Sequence, residues 1–167
     1  LAIGHVRYST TGSSTISNAQ PFLVHFAGEY YALAHNGNIL NAQKLRKELE
    51  DSGSIFQSTM DSEVVVHRMA HHMRKGLEKA LAAALARLEG AYCFIMMTRD
   101  KIIAARDPRG FRPLALGKLN GSWVIASETC AFDLVGAEYV RDVEPGEVLI
   151  IDSKGLRSIN PFPAIKH

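Results

Sequence analysis

Residues 91–98, AYCFIMMT, restrict the fold more than any other stretch of this sequence. The run is apolar at successive positions, so a strand formed here has two apolar faces. Such a strand is stable only when both faces are covered, because water on either side would meet apolar side chains. The chain must therefore place one layer on each side of the sheet that contains this strand.

Hydrophobic periodicity predicts strands, then helices, then strands again. The first strands are predicted at 1–6, 21–26 and 30–35, separated by a polar, turn-rich loop over 7–20. Helices are predicted at 41–50, 62–74 and 77–89, with Asn41 as N-cap of the first and with Gly53 and Gly90 as stop signals. Besides residues 91–98, short strands are predicted at 101–106, 113–117, 122–127 and 147–152. This order predicts an α+β fold in which helices cover one face of a sheet.

The composition describes an ordinary globular domain. The chain has 167 residues, of which 47% are hydrophobic and 22% charged, and a net charge of +2. Basic residues are spread along the chain, which gives no reason to expect a nucleic-acid or membrane partner. Two cysteines fit a reducing compartment better than a disulfide scaffold. Because the chain begins at Leu1 inside the apolar run LAIGHV, we expect a fragment cut within a strand.

Several familiar chemical motifs are absent or weak. The phosphate-binding patterns G-x-G-x-x-G and G-x-x-x-x-G-K-[ST] do not occur. His67 and His71 have the spacing of zinc ligands on a helix, but a solvated helix face is the favoured interpretation. Cys93 lies inside the doubly apolar run and is interpreted as a core residue.

Three short motifs carry more chemistry together than apart. Asn36-Gly37 follows a strand, where a side-chain amide and an unhindered backbone N–H could stabilise an oxyanion; a tight turn is the alternative. Arg7 opens the polar loop and could bind a carboxylate, the alternative being a surface arginine. Asp61 could hold an ammonium group or cap a helix. Together they would suit an α-amino acid with a carbonyl group in its side chain.

These motifs resemble those of the class II glutamine amidotransferase domains, which belong to the N-terminal-nucleophile hydrolases. The resemblance rests first on RYSTTG (7–12), AHNGN (34–38) and STMDSEVV (58–65), in their order and spacing. It implies a four-layer αββα sandwich, truncated at its N-terminal strands, with residues 1–167 forming a partial domain. Further runs, ARDPRGFRPLALG, ASETCAFD and VEPGE, are similar to members that supply ammonia to a phosphoribosyltransferase domain in purine synthesis.

The resemblance implies a role for each matching residue. Arg7 would bind the α-carboxylate of glutamine, with Thr10 nearby in the same loop. The side chain of Asn36 and the backbone N–H of Gly37 would form the oxyanion hole, and Asp61 would hold the α-amino group. Loss of one donor from such a hole typically costs ~3 kcal/mol of transition-state stabilisation.

The resemblance also implies parts that this sequence lacks. The nucleophile in the family is an N-terminal cysteine, whereas Cys93 and Cys130 are internal, so we expect this chain alone to be inactive. Cys130 corresponds to one of four iron–sulfur ligands in a subgroup of the family. We expect no cofactor on this chain alone, and a [4Fe–4S] cluster and magnesium in the whole protein.

The expected partners are glutamine and the phosphoribosyltransferase domain of the same protein, in a cytoplasmic homo-oligomer. Two alternatives remain open from the sequence. One is the glutaminase domain of an enzyme like glucosamine-6-phosphate synthase. The other is a non-catalytic module that binds glutamine.

Overall fold

The computed structural model describes residues 1–6 and 15–162, and within them nine strands form two antiparallel sheets. In chain order the strands are β1 (Phe22–Phe26), β2 (Glu29–Ile39), β3 (Gly90–Met97), β4 (Ile102–Arg106), β5 (Ala115–Leu119), β6 (Ser122–Ala126), β7 (Glu138–Asp142), β8 (Val148–Asp152) and β9 (Gly155–Ile159). The larger sheet has the order β1-β2-β3-β4-β8-β9, and the smaller has the order β6-β5-β7.

The α-helices of the described residues are α1 (Ala42–Asp51), α2 (Glu63–His72), α3 (Leu77–Leu85) and α4 (Cys130–Val135). Two short 3-10 helices cover Ile16–Asn18 and Met73–Lys75. None of the helices in this part of the chain is long and apolar enough to cross a membrane.

Two hydrophobic cores lie on opposite faces of the larger sheet. On one face, Phe94 of β3 belongs to the same core as Leu45 of α1, Val65 of α2 and Leu85 of α3. On the other face, Cys93 packs in a second core with side chains of the smaller sheet and the segments beside it, such as Leu114, Leu116 and Val143. The predicted double covering of residues 91–98 is therefore confirmed.

A fourth layer covers the outer face of the smaller sheet. Gly117 follows Leu116 in β5 and so faces away from the second core. A Cβ atom at Gly117 would lie 3.1 Å from the ring of Phe132 in α4, which is buried against this face. The layers therefore run helices, larger sheet, smaller sheet, helix, as the αββα prediction requires.

Three sequence predictions about element bounds are wrong. Residues 1–6 form no strand, because none of the described strands pairs with them; Ala2 and Ile3 instead line a cavity with Ile95 and Trp123. The strand predicted to end before Asn36-Gly37 continues to Ile39, because β3 pairs with it along its length. The helix predicted over 77–89 ends at Leu85, since the amides of Arg87 and Leu88 bond three residues back, and Gly90 begins β3.

The bounds of the other predicted elements agree with the structure to within a few residues. The predicted cap of α1, one displaced strand and three elements that were not predicted are the exceptions. Asn41 occupies the N-cap position of α1, but its side-chain amide donates to Arg87 O at 2.8 Å, accepts from Glu89 N at 3.1 Å and makes no cap bond. The strand predicted at 113–117 is displaced to β5. The sequence did not predict β7, β9 or α4, which are short and have weak periodicity.

Candidate active site

A cavity of about 550 Å³ opens at the end of β2 that lies beyond β1. Its lining residues come from β2, from the loop before α2, from the segment before β1 and from the loops after β4 and β6. Those that bear on its chemistry are Gln20, His35, Asn36, Gly37, Asp61, Arg112 and Glu128.

The free edge of β2 determines which backbone groups face this cavity. β1 pairs only with residues 29–33 of β2, so among the described residues no strand lies beside the rest of that edge. The N–H of His35 donates to Gln20 Oε1 at 2.6 Å, and the N–H of Ile39 donates to Asp61 Oδ2 at 2.9 Å. Alternate residues of a strand direct their amides to the same edge, so the N–H of Gly37 points between these two bonds.

The opposite strand supports this orientation of Gly37. Its ladder partner is Tyr92 of β3, whose carbonyl accepts a bond from Asp107 N at 2.8 Å on the β4 side. Because Tyr92 directs its polar groups away from β2, it does not take the amide of Gly37. That amide is left as a donor aimed at the cavity.

Only glycine fits at position 37. A Cβ atom there would lie 2.2 Å from Ala91 O and 2.8 Å from His35 Nε2, both far inside van der Waals contact. The close approach of two strands, and not a hairpin turn, explains the glycine. Asn36 lies on the opposite face of β2 from His35, next to Cys93 of β3, and its side chain also lines the cavity.

Asp61 stands at the far wall of the cavity as a charged carboxylate. Its Oδ1 lies 3.3 Å from His35 Nδ1, and its Oδ2 accepts the bond from Ile39. Burial acts to raise the pKa of Asp61, but the hydrogen bonds from His35, Ile39 and Ser62 outweigh burial and hold the pKa below its usual value. Asp61 stands one residue before Ser62, the N-cap position of α2, and its bond from the Ser62 backbone lies at the start of that helix.

Two sets of bonds fix the loop that carries Asp61. Asn18 is fully buried; its amide donates to Thr59 Oγ1 at 2.8 Å and accepts from Thr59 N at 3.0 Å. Glu63 accepts bonds from Gln57 N at 2.7 Å, from Ser58 N at 2.9 Å and from Ser58 Oγ at 2.5 Å. The loop is therefore held on both sides of Met60, and the position of Asp61 follows from it.

Arg112 reaches the cavity from a loop with its own internal scaffold. The carboxylate of buried Asp107 accepts bonds from Arg109 N at 2.9 Å and Phe111 N at 3.1 Å. The guanidinium of Arg106 donates to the carbonyl oxygens of Arg112, Gly110 and Val143. These bonds explain the run DPRGFRP, and they present the exposed Arg112 side chain at the cavity mouth.

The histidines and cysteines elsewhere have structural surroundings. His67 packs on the Phe56 ring at 4.2 Å and lies 3.5 Å from Glu63 Oε1, so the predicted solvated face describes only His71. Cys93 is buried as predicted, and burial raises the pKa of its thiol to about 12. Within residues 1–6 and 15–162, no three histidine, cysteine or acidic side chains cluster as a metal site. Cys130 is exposed, and its Sγ lies 3.7 Å from Glu128 Oε2.

The structure brings together three of the residues singled out from the sequence. Asn36, Gly37 and Asp61 line one cavity, as their predicted roles require. Arg7 and Thr10 lie outside the described residues. Gln20, His35 and Arg112 were not predicted from the sequence. His35 stands within the AHNGN motif and Arg112 within DPRGFRP, so both were recognisable, whereas Gln20 has no local signal.

Two N–H donors beside a carboxylate can stabilise an oxyanion and hold an ammonium group at the same time. This fold and this site are those of a glutamine amidotransferase domain, and the chain belongs to that family, which it matches over residues 5–133. Its relatives within the family are amidophosphoribosyltransferases. It is 49% identical to amidophosphoribosyltransferase 2, chloroplastic, of Arabidopsis thaliana over 99% of this chain and 30% of the relative. It is 48% identical to the amidophosphoribosyltransferase of Bacillus subtilis (strain 168) over 94% of this chain and 33% of the relative.

A solved structure agrees with this relationship. The glutamine phosphoribosylpyrophosphate amidotransferase from B. subtilis, complexed with ADP and GMP, superposes with a TM-score of 0.86 at 45% identity. The match covers 95% of this chain and 34% of the solved chain. The chain therefore spans about a third of the length of the relatives it matches.

Proposed function

We propose that this chain is the glutamine-hydrolysing domain of an amidophosphoribosyltransferase. The domain converts glutamine into glutamate and ammonia, and the ammonia passes to a phosphoribosyltransferase domain of the same protein. There it displaces pyrophosphate from phosphoribosyl pyrophosphate to give phosphoribosylamine, in purine synthesis. The names of the relatives support this acceptor over that of a glucosamine-6-phosphate synthase.

The observation that carries the proposal is the amide of Gly37. It points into the cavity between two amides that side chains already occupy, next to Asn36 and opposite Asp61. With Asp61 holding the α-ammonium group of glutamine, the side-chain carbonyl of the ligand would reach Asn36 and Gly37. Arg7 and Thr10 complete the proposed substrate site at the α-carboxylate.

The proposed reaction is acyl transfer through a thioester. A thiolate attacks the side-chain amide carbon, and the carbonyl oxygen takes up negative charge that Asn36 and Gly37 stabilise. The intermediate collapses, the protonated amine leaves as ammonia, and water hydrolyses the thioester to glutamate. The nucleophile is the N-terminal cysteine that the resemblance implies. Cys93 is unsuited to the role because it is buried and its thiol has a pKa raised to about 12.

Further properties belong to the proposed whole protein. Cys130 is exposed at the start of α4, where its thiolate could serve as one of four ligands to a [4Fe–4S] cluster. No three histidine, cysteine or acidic side chains of the described residues cluster around a metal position, so the other ligands would come from the rest of the protein. Magnesium, a homo-oligomeric state and a cytoplasmic location complete the proposal; two unpaired cysteines support a reducing compartment.

The test is glutamate release from glutamine by the whole protein and by its Asn36→Ala variant. We expect kcat to fall about 10²–10³-fold with little change in KM, because the lost donor acts on the transition state. Asn38→Ala is the matched control: Asn38 lies two residues along the same strand, is exposed and does not line the cavity. Equal activity of both variants would overturn the oxyanion assignment and would favour a non-catalytic glutamine-binding module.

A further inference from the structure

His35 is a buried histidine whose surroundings leave it no freedom to turn. Its side chain is 2% exposed, and its ring stacks on Phe94 with centroids 4.6 Å apart and planes at 27°. Its backbone N–H is held by Gln20 Oε1 at 2.6 Å. Phe94 therefore packs against one face of the ring, and Gln20 fixes the backbone that carries the ring in the cavity wall.

One ring nitrogen of His35 meets the carboxylate of Asp61. The separation between Nδ1 and Asp61 Oδ1 is 3.3 Å, and a carboxylate can only accept, so Nδ1 carries the hydrogen. The second carboxylate oxygen, Oδ2, is held by Ile39 N. Together with the bond from the backbone of Ser62, these contacts fix the carboxylate plane relative to β2, and a carboxylate, which can accept about four bonds, keeps a lone pair available to a ligand.

The other ring nitrogen lies beneath Gly37. Nε2 is buried without a hydrogen-bond partner among the residues that the structure describes. It would lie 2.8 Å from a Cβ atom placed on Gly37, so this edge of the ring supports the backbone whose amide faces the cavity. A hydrogen on Nε2 would be a buried donor without an acceptor, which agrees with the hydrogen lying on Nδ1.

We propose that His35 is a positioning residue that sets recognition of the ligand's α-ammonium group by orienting Asp61. The same ring packs beneath Gly37, the proposed oxyanion donor. One side chain therefore sets the distance between the two ends of the substrate site, Asp61 and Gly37. The proposal rests on the proposed glutaminase function, since it assigns glutamine to the cavity.

The test compares two substrates that differ only at the α-carbon. Ammonia release by the whole protein is measured with glutamine and with glutaramate, which is glutamine without its α-amino group. The readout is the ratio of kcat/KM for the two substrates. Asp61→Ala gives the reference value for a site that no longer recognises the ammonium group.

The variants form a matched set. His35→Leu removes both nitrogens, His35→Asn keeps an amide donor near the position of Nδ1, and His35→Gln places its amide near Nε2 instead. We expect His35→Leu and His35→Gln to lower the preference for glutamine over glutaramate at least tenfold, toward the value of Asp61→Ala. His35→Asn should retain most of the preference. Thermal melting identifies variants that fail to fold; if His35→Leu does, the Asn and Gln pair decides.

Four outcomes would count against the proposal or against the function on which it rests. Equal losses with both substrates in every variant would reduce His35 to a core residue. An unchanged preference in His35→Gln would show that Asp61 needs no help from Nδ1. A wild-type protein that hydrolyses glutamine without any preference over glutaramate would overturn the assignment of Asp61 and this inference with it, and one that releases no ammonia from glutamine would overturn the proposed function itself.

Discussion

Ile39 donates its backbone N–H to Asp61 Oδ2 over 2.9 Å, and this bond ties the loop before α2 to the strand that carries Asn36 and Gly37. The two ends of the proposed substrate site are therefore held in a fixed position relative to each other. A movement of the loop would therefore move the edge of β2, and a movement of β2 would change the position of the Asp61 carboxylate.

Asp61→Asn is expected to raise KM for glutamine about tenfold or more and to lower kcat less. The amide keeps an oxygen for Ile39 but loses the charge that meets an ammonium group, and a bond to a charged group contributes about 1.5–3 kcal/mol. Steady-state glutamate release by the whole protein measures this. Asp51→Asn, at the exposed end of α1, is the control and should match the wild type. An unchanged KM in Asp61→Asn would show that the ammonium group binds elsewhere.

The pH dependence of glutamine affinity follows from the same carboxylate. Burial acts to raise the pKa of Asp61, but its hydrogen bonds hold the pKa below the ordinary value of 3.8. Asp61 is therefore charged throughout the range from pH 8 to pH 5, so its contribution to affinity should be constant there. That contribution should be lost only as pH falls below 3.8, which calorimetric titration at stepped pH would reveal. A decline centred near pH 6 would contradict the assignment.

Gly37→Ala is expected to disrupt the fold locally. The new methyl group would lie 2.2 Å from Ala91 O, a backbone atom of the paired strand that cannot rotate away. We expect a loss of more than about 2 kcal/mol in the free energy of unfolding, from overpacking between two strands. Gly53→Ala is the control: Gly53 has a φ of +94° and nothing within 4 Å, so only backbone strain, about 1 kcal/mol, should appear. Urea unfolding measures the free energy of unfolding of both variants. Equal losses would show that β3 moves aside to accommodate the new methyl group at position 37.

Glu63→Gln is expected to destabilise the chain by about 3 kcal/mol near neutral pH. Burial acts to raise the pKa of Glu63, but bonds from His67, Gln57 and Ser58 outweigh it and lower the pKa from 4.5 to about 2. A lowered carboxyl pKa means that the stabilisation is complete above pH 4.5 and is lost as pH falls toward 2. The difference in stability between wild type and variant should therefore shrink across that interval.

The matched control for Glu63 is Glu50. Both carboxylates lie 3.7 Å from the guanidinium of Arg46, but the Glu50 side chain is 50% exposed and that of Glu63 only 2%. Glu50→Gln should change stability by less than about 1 kcal/mol, because exposed ion pairs contribute little. If both variants lost the same stability at neutral pH, burial would not be the source of the effect.

Asn18→Ala is expected to raise KM while also destabilising the fold by about 1–3 kcal/mol, because the Thr59 N–H loses its acceptor. The side chain joins the segment before β1 to the loop of Asp61, so its loss should loosen the ammonium end of the cavity. Ser17→Ala, at an exposed neighbour, serves as the comparison. Kinetics and thermal melting are measured on the same preparations. If stability were lost without any change in KM, the loop that carries Asp61 would keep its position without the bonds from Asn18.

The sequence was most informative where local pattern and tertiary environment agree. The double apolar character of residues 91–98 predicted a sheet covered on both faces, and both cores are present. The predicted strand end before Asn36-Gly37 was wrong, because a turn signal reports only the local backbone preference of the two residues. The glycine is required instead by Ala91 on a strand more than fifty residues away.

The candidate site was predictable in its residues but not in its supports. Asn36, Gly37 and Asp61 stand in recognisable motifs, and the structure brings them to one cavity. The acceptor role of Gln20 depends on where the segment before β1 folds, for which no short-range pattern exists. Residue types alone likewise could not assign His35 to Asp61, since a buried histidine has many common partners.

Among the described residues, the edge of β2 beyond Leu33 is not paired with another strand. Unpaired strand amides attract other strands, and proteins usually protect such edges. Here the side chains of Gln20 and Asp61 occupy the amides on either side of Gly37, leaving a gap one residue wide. An oxygen bound to the Gly37 amide would lie where the carbonyl of a neighbouring strand would lie. A ligand can therefore replace one hydrogen bond of a β-ladder, whereas another strand cannot pair there because the amides of His35 and Ile39 are already occupied.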